Sequence, residues 1–369
     1  MSGSGKKRVA AIVTEYRHNS HAEVIVGRLL GRLNYRPRIE IVSLYTDQVP
    51  AGDMSREEAA RLGIPICATI REAIRASHCP EPIDGVVVIG EHGRYPMNEK
   101  EQTMYPRRRF LEETLAALDE QGRAVPIFSD KHLAYDYDDA LWMYGQLKAR
   151  GIPFMGGSSI PHCDYVPNFE PRRLQSLREA VVISSGGLEG YGFHALEVLQ
   201  SLTERRAGGE TGVRSVRLLR GTNGEAWAAM DRGEWPENLM LQALRAIPGV
   251  PETHPRELEP APALFVIEYR DGVRGYIVQF QRLVEQWSFA FRDGDDRVTA
   301  ALCDSDLDRP FAHFERFSRM IEAFLVSGQE PFPSERTLLT TGMICAAMDS
   351  LHAGKKIDTP KLHIVYDSR

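Results

Sequence analysis

The sequence predicts an α/β chain: an N-terminal Rossmann-type parallel sheet, then a C-terminal α+β domain with a mostly antiparallel, open-faced sheet. Three observations lead there. Residues 1–157 alternate short apolar runs with helical patterns, as parallel strands joined by crossover helices do. The remainder strings strand patterns together around an Asp271-Gly272 hairpin signal. Finally, 369 residues exceed what one hydrophobic core organises, so domains of 1–157 and 158–369 are expected.

Taken in order, residues 8–14 (RVAAIVT) read as a buried strand, and 21–33 as a helix with Val24, Ile25, Leu29 and Leu30 at helical spacing. A second strand covers 39–45. The helix over 55–62 opens with Ser55 and Glu58 at the spacing of a capping box. A short strand (64–67) and a helix (69–77) follow. The run 85–90 (GVVVIG) is nearly all β-branched, as suits a strand covered on both faces. A helix over 109–121, a strand over 124–129, a helix over 137–150 and a strand over 153–155 complete the first half.

Beyond residue 158 the strand patterns are 180–185, 213–220, 263–269, 275–281 and 286–292, interrupted by a helix from about 192 to 203. Residues 232–262 are rich in proline and polar groups and read as an elaborated loop with one helix at 238–246. Helices over 311–326 and 337–351 close the chain, and the region 311–352 is expected to pack back toward the first domain. Trp142, Trp227, Trp235 and Trp287 read as packing residues.

The formal net charge of −6 argues against a dedicated nucleic-acid binder, which presents a basic face. Arg107-Arg108-Arg109, the one basic run, sits where a helix starts; it reads as a solvated helix end or partner contact, with an anion site as the alternative. Five dispersed cysteines without a C-x-x-C pair fit a reducing compartment. The N-terminus has no apolar signal region, and no run reaches eighteen apolar residues, so a cytoplasmic chain that neither enters nor spans a membrane is expected.

In a parallel sheet the functional groups gather where the strands end. After the first strand a dinucleotide fingerprint would place glycines; this chain has Thr14-Glu15-Tyr16-Arg17-His18-Asn19-Ser20-His21. Glu15 there repels phosphate unless Arg17 or His18 compensates. Other strand ends carry Gly90-Glu91-His92-Gly93-Arg94-Tyr95, Ser129-Asp130-Lys131-His132 and Gly156-Gly157-Ser158-Ser159. Glu15, Glu91, His92, Lys131 and His132 are thus expected around one crevice, a density of titratable groups that marks a site more often than chance. Helix caps and surface loops are the alternative reading for each of them. Arg94, Tyr95, Tyr105 and the arginine run offer planar groups for a substrate-side wall.

At Asp130-Lys131-His132-Leu133-Ala134 and Gly190-x-Gly192-x-His194 the chain resembles the glucose–fructose oxidoreductase / inositol dehydrogenase / MocA family. The similarity extends over most of the chain: residues 57–65 (EEAARLGIP), 69–74 (TIREAI) and 83–88 (IDGVVV) resemble consecutive segments of that family's first domain, and 317–351 its closing helices. The chain departs from the family in four places, one of them the end of the fourth strand, where Glu91-His92-Gly93 stands for the family's Pro-x-His. The glycine fingerprint is missing, Gly190 stands where the family has a catalytic aspartate (with Glu189 adjacent), and His132 stands for the proline after the lysine.

The resemblance implies an NAD- or NADP-dependent oxidoreductase of sugar metabolism acting on a polyol, sugar or related hydroxy compound. In it Lys131 stabilises alkoxide charge, His194 is the acid–base group and Glu189 orients it. Thr14, Tyr16, Arg17, His18, Asp47, Gly90 and Glu91 would line the cofactor, Asp47 accepting from the ribose 2′-hydroxyl, while His92, Arg94, Tyr95 and His132 face the substrate. A homodimer or homotetramer through the C-terminal sheet is also implied. One alternative is a metal-assisted hydrolase or lyase holding a divalent cation on Glu91, His92, His132 and His194. Another is a non-catalytic binding protein.

Overall fold

A computed structural model describes residues 5–367 and resolves two compact units. The expectation for the extreme N-terminus falls partly on residues 1–4, outside the described residues. Unit 1 comprises Met1–Pro96, Thr103–Gly157 and Asp308–Leu338; unit 2 comprises Met97–Gln102, Ser158–Leu307 and Leu339–Arg369.

Unit 1 begins with β1 (Lys7–Val13), whose Val9 to Val13 are fully buried. A helical run follows, π-helical over Ala22–Gly27. It stops before residue 33 because Gly31, Leu33 and Asn34 all turn left-handed. The wide turn is allowed by Gly27, where a β-carbon would lie 2.9 Å from the Tyr16 hydroxyl. Next come β2 (Ile39–Thr46), α1 (Ser55–Leu62), β3 (Ile66–Cys67), α2 (Ile70–Arg75), β4 (Gly85–Ile89), α3 (Arg107–Asp119), β5 (Ile127–Asp130), α4 (Tyr137–Ala149) and β6 (Phe154–Gly157). All six strands pair in parallel, in the order β3-β2-β1-β4-β5-β6. That is the Rossmann order, with its switch point between β1 and β4.

The capping box expected at Ser55 is absent. The Ser55 hydroxyl donates to Asp53, and the Glu58 carboxylate is taken by Arg32 and Arg61. One helix later Thr69 caps α2 by accepting the Glu72 amide, while the Glu72 carboxylate accepts the amide of Ala68, the residue before the cap.

Unit 2 contains β7 (Asp164–Val166), β8 (Glu179–Ser185), α5 (Gly190–Thr203), β9 (Val213–Leu219), α6 (Glu225–Asp231), α7 (Glu237–Arg245), α8 (Pro255–Leu258), β10 (Ala263–Tyr269), β11 (Arg274–Phe280), β12 (Trp287–Arg292) and β13 (Val298–Asp304). The chain then returns to unit 1 with α9 (Ala312–Ser327), whose Phe314, Phe317, Ile321 and Phe324 enter the core beside Val9, Val13, Ile25 and Ile41. Helix α10 (Ser334–Ala353), β14 (Ile357–Asp358) and a 3₁₀ turn at Pro360–Leu362 follow. The eight strands order as β14-β9-β10-β11-β8-β12-β13-β7, antiparallel except for β11 against β8. The Asp271-Gly272 hairpin joins β10 to β11 as expected.

The sheet is mostly antiparallel, as expected, and side chains pack on both of its faces. Successive side chains of a strand point to opposite faces. On one face a β-carbon at Gly275 would strike Leu199 of α5, and one at Gly192 would strike Phe265. On the other, Val181, Ile183, Tyr276, Val278 and Phe280 pack with Trp227, Trp235, Leu239, Met240 and Leu244 from α6, α7 and their connection. The segment expected as an elaborated loop carries helices that pack on the second face. Its apolar residues are spaced by helix period among Pro and Glu, which disguises them as loop. Among the described residues, no helix is long and apolar enough to cross a membrane.

Candidate functional site

At the carboxyl ends of β1, β4 and β5, unit 1 buries a cluster of ionisable groups. Glu91, just past β4, takes Arg107 Nη2 at 2.6 Å on one oxygen and lies 3.7 Å from Lys131 Nζ on the other. Burial alone would raise the Glu91 carboxyl; the Lys131 and Arg107 cations outweigh it and hold the group well below the usual carboxylate range. Lys131 and His92 both adopt left-handed backbone, at φ +69° and +70°. Such conformations cost non-glycine residues about 1–3 kcal/mol each and gather at functional sites.

Arg107 is the centre of this cluster and the clearest correction to the sequence reading. Although it opens α3, it is 1 % exposed. One Nη donates to Glu91, the other sits 2.9 Å from His132 Nε2, and the guanidinium lies 4.9 Å from the Tyr105 ring. A guanidinium only donates, so His132 Nε2 is the acceptor and its lone pair is used. Arg108 and Arg109 are engaged as well, Arg108 over Trp142 and on Asp139, Arg109 on Asp47 at 2.5 Å. Gly90 is needed by Arg107, since a β-carbon there would lie 2.6 Å from Arg107 Cγ; that explains its glycine without a cofactor.

His92 is pushed down to about 4, first by burial and then by the charge of His21, against the pull of Glu91. The imidazole is therefore neutral at pH 7, and its Nε2 is buried with no hydrogen-bond partner among the described residues. An unfolded histidine titrates near 6.5, so between pH 6.5 and 4 the unfolded chain binds a proton that the fold refuses. Stability is expected to fall on acidification through that window, by on the order of 2 kcal/mol. Urea midpoints at the two ends of the window should show His92→Gln losing much of this slope; an unchanged slope refutes the assignment.

The loop after β1 differs from a glycine-rich phosphate seat in kind. Ser20 Oγ accepts the Arg17 and Glu23 amides, and the Glu23 carboxylate, itself bonded to Arg309, accepts the Asn19 amide. Glu15 is buried against Arg17. Thr14 ties β1 to β4 through the Glu91 carbonyl, and Tyr16 is fully buried in the core, so neither side chain lines an open groove as expected. Arg17 and His18 stay substantially exposed. At the end of β2, Asp47 accepts from Tyr45, Tyr95 and Arg109, while Arg94 is exposed and bonds Gln48 through its backbone.

Sequence reading missed a further pair. His21 Nδ1 lies 2.6 Å from Asp130 Oδ2, and its ring stands edge-on to His92 and to Phe314, each at 5.2 Å between centroids. His21 had been visible only as a helix start, and Asp130 only as the neighbour of Lys131. The signal was the strand-end placement of both.

In unit 2, His194 on α5 is buried with Nδ1 2.5 Å from Ser158 Oγ. The Ser158 amide reaches Glu197, which also accepts from the Thr340 hydroxyl. Glu189, expected to orient His194, accepts from Gln102 at 3.0 Å. The Tyr191 ring stacks on Trp287 at 5.8 Å, with His194 edge-on to Trp287. Trp287 is thus part of an aromatic platform whose outer member, Tyr191, is exposed.

The donor set does not suit the divalent cation of the alternative reading. Glu91 is saturated by cations and His132 has given its lone pair to Arg107. Among the described residues no three His, Cys, Asp or Glu side chains are grouped to hold a metal.

No protein-family model matches the chain, and no curated protein matches it in sequence. Solved structures do match. GenD2 from gentamicin A biosynthesis, in complex with NAD, is 13% identical with a TM-score of 0.62, over 97% of each chain. A scyllo-inositol dehydrogenase from Lactobacillus casei, with bound NAD(H) and scyllo-inositol, is 11% identical with a TM-score of 0.60, over 96% of this chain and 99% of that one. A myo-inositol 2-dehydrogenase from Lactobacillus plantarum is 12% identical with a TM-score of 0.60, over 96% and 99%. The likeness spans both units, and it bears out the resemblance at the level of architecture: this chain has the fold of the inositol dehydrogenases.

Proposed function

We propose that the chain is a nicotinamide-dependent oxidoreductase of the glucose–fructose oxidoreductase / inositol dehydrogenase / MocA type, acting on a polyol or sugar-like hydroxy compound. The observation that carries this reading is Lys131: a buried ammonium, kept beside Glu91 in a strained left-handed turn at the end of β5 of a shared fold. An ammonium so placed stabilises negative charge developing on a substrate oxygen. His194 takes the acid–base role, with Ser158 fixing its ring. The exposed face of Tyr191 suits the C–H face of a sugar ring.

The cofactor supplies a hydride acceptor. Asp47 with Arg109 would hold its adenosine ribose, and the exposed Arg17 guanidinium and His18 imidazole its phosphates, in place of glycine amides. That seat carries two carboxylates, Glu15 and Glu23, against the Arg17 guanidinium, which favours weak binding.

The same saturated helix start supports a second reading. In it the chain has given up the dinucleotide and performs acid–base chemistry alone on a hydroxylated substrate.

Titration with NADH and with NADPH separates the two. Saturable fluorescence and melting shifts are expected for at least one of them, and turnover of inositols or hexoses with the oxidised form. Lys131→Met is expected to lower kcat by roughly 10²–10³-fold while leaving cofactor binding in place. Silence at millimolar concentrations of both cofactors would sink the oxidoreductase reading in favour of the second.

A further inference from the structure

We infer that the crevice at the ends of β1, β2 and β4 binds a small hydroxylated monocarboxylate, Arg94 taking the carboxylate and Glu15 a hydroxyl. The inference goes beyond the proposed reaction: it rests on unit 1 alone and needs neither cofactor nor turnover.

The crevice encloses about 290 Å³ and is lined by Glu15, Gln48, Val49, Pro50, Ala51 and Arg94. That is room for on the order of ten waters, at the low end of ligand pockets. It lies at the switch point between β1 and β4, where an open α/β sheet takes its ligands.

A surface arginine is ordinarily a solvated charge on a loose loop. Arg94 stands instead on a braced backbone. His92 and Gly93 before it both turn left-handed, at φ +70° and +107°, the first at a cost that a non-glycine residue bears. The Gln48 side-chain amide then brackets the Arg94 backbone, accepting its N–H at 2.9 Å and donating to its carbonyl at 3.0 Å. On the far side the Tyr95 hydroxyl donates to Asp47. The bracing fixes the main chain and leaves the guanidinium without a partner among the described residues. Arg107, Arg108 and Arg109 from the next helix are all spent on carboxylates.

The charges select the ligand. Glu15 is buried, and Arg17 Nε holds its Oε1 at 2.5 Å, so these two cancel. Asp47 is likewise offset by Arg109. Arg94 then leaves the crevice one surplus positive charge, which matches a monoanion. A planar guanidinium pairs with a carboxylate through two parallel hydrogen bonds. A carboxylate at Glu15 only accepts, so it rewards a hydroxyl and repels the second charge of a phosphate. Val49, Pro50 and Ala51 offer apolar contact to the carbons between the two polar ends.

Calorimetry on the full chain, with no nicotinamide present, tests this with sodium gluconate, sorbitol and inorganic phosphate. Gluconate is expected to bind saturably in the millimolar range or tighter. Sorbitol, which keeps the hydroxyls and lacks the carboxylate, should bind roughly tenfold or more weakly, and so should phosphate. Arg94→Gln is expected to weaken gluconate by roughly ten- to a hundredfold at an unchanged melting temperature, because the side chain it removes is exposed and unpartnered. Arg94→Lys should recover part of that loss, restoring the charge but not the fork. Glu15→Gln should tighten phosphate while weakening gluconate. Gluconate that binds no better than sorbitol, or an Arg94→Gln chain with wild-type affinity for it, overturns the inference. Phosphate as the tightest of the three in the wild type overturns it too, since the crevice would then be a plain anion site. Silence toward NADH and NADPH would sink the oxidoreductase reading and leave every one of these results standing.

Discussion

Arg107→Met is expected to destabilise unit 1 by about 3–5 kcal/mol, the usual consequence of removing one member of a buried ion pair. Methionine keeps much of the aliphatic stem but none of the five donors. Glu91 would then face burial with Lys131 as its remaining close cation, and His132 Nε2 would lose the donor it accepts. The carboxyl should climb back toward, and past, its ordinary range, because the burial that opposes its charge is unchanged. A guanidinium chloride titration measures the loss as a lower midpoint at constant slope. The double variant Glu91→Gln/Arg107→Met should be less destabilised than the sum of the two single changes, since no uncompensated charge is left inside. Simple additivity would show that the two residues do not act as a unit.

The second large effect concerns the cover of the unit 2 sheet. Strands β9 and β10 are antiparallel neighbours, with Leu219 opposite Leu264, so a short turn can replace residues 220–262 without breaking the ladder. That deletion removes Trp227, Trp235, Leu239, Met240 and Leu244 and bares Val181, Ile183, Tyr276, Val278 and Phe280. Contiguous apolar patches of more than a few hundred Å² drive association. The shortened chain is expected to self-associate or precipitate at concentrations where the full chain keeps its size, as light scattering would record. A shortened chain with unaltered mass and melting temperature would mean that the cover contributes little.

How far the sequence foretold this molecule depended on the length scale of the signal. The strands of unit 1 were legible because each is a short apolar run bounded by polar turns, and their parallel pairing then followed from the crossover rule. The edge strands β7 and β14 span three and two residues and offer too little pattern. Strand β13 hides in the run VTAALCD, where alanines blur alternation. Trp227 and Trp235 were identified as packing residues, but what they pack on depends on which face of a sheet formed by distant segments lies bare.

The site was half legible. Glu91, His92, Lys131 and His132 were placed at strand ends by topology, and the structure brings them together in unit 1. Arg107 was read as solvated because helix starts are usually wet; its burial is decided by Gly90, whose missing side chain opens the space for its stem. Tyr16 and Thr14 were assigned to a ligand because their loop follows β1, yet each turns inward. The His21–Asp130 contact joins residues far apart in the chain, and no local spacing encodes it.

Helix α9 carries one more consequence. It belongs to the core of unit 1 but follows the Ser158–Leu307 part of unit 2 along the chain. As the polypeptide leaves the ribosome, the groove destined for Phe314, Phe317, Ile321 and Phe324 stays unfilled until that part of the second unit has emerged. The first unit to be synthesised is therefore among the last to be finished, and a nascent chain halted before α9 presents greasy surface to chaperones rather than a closed domain.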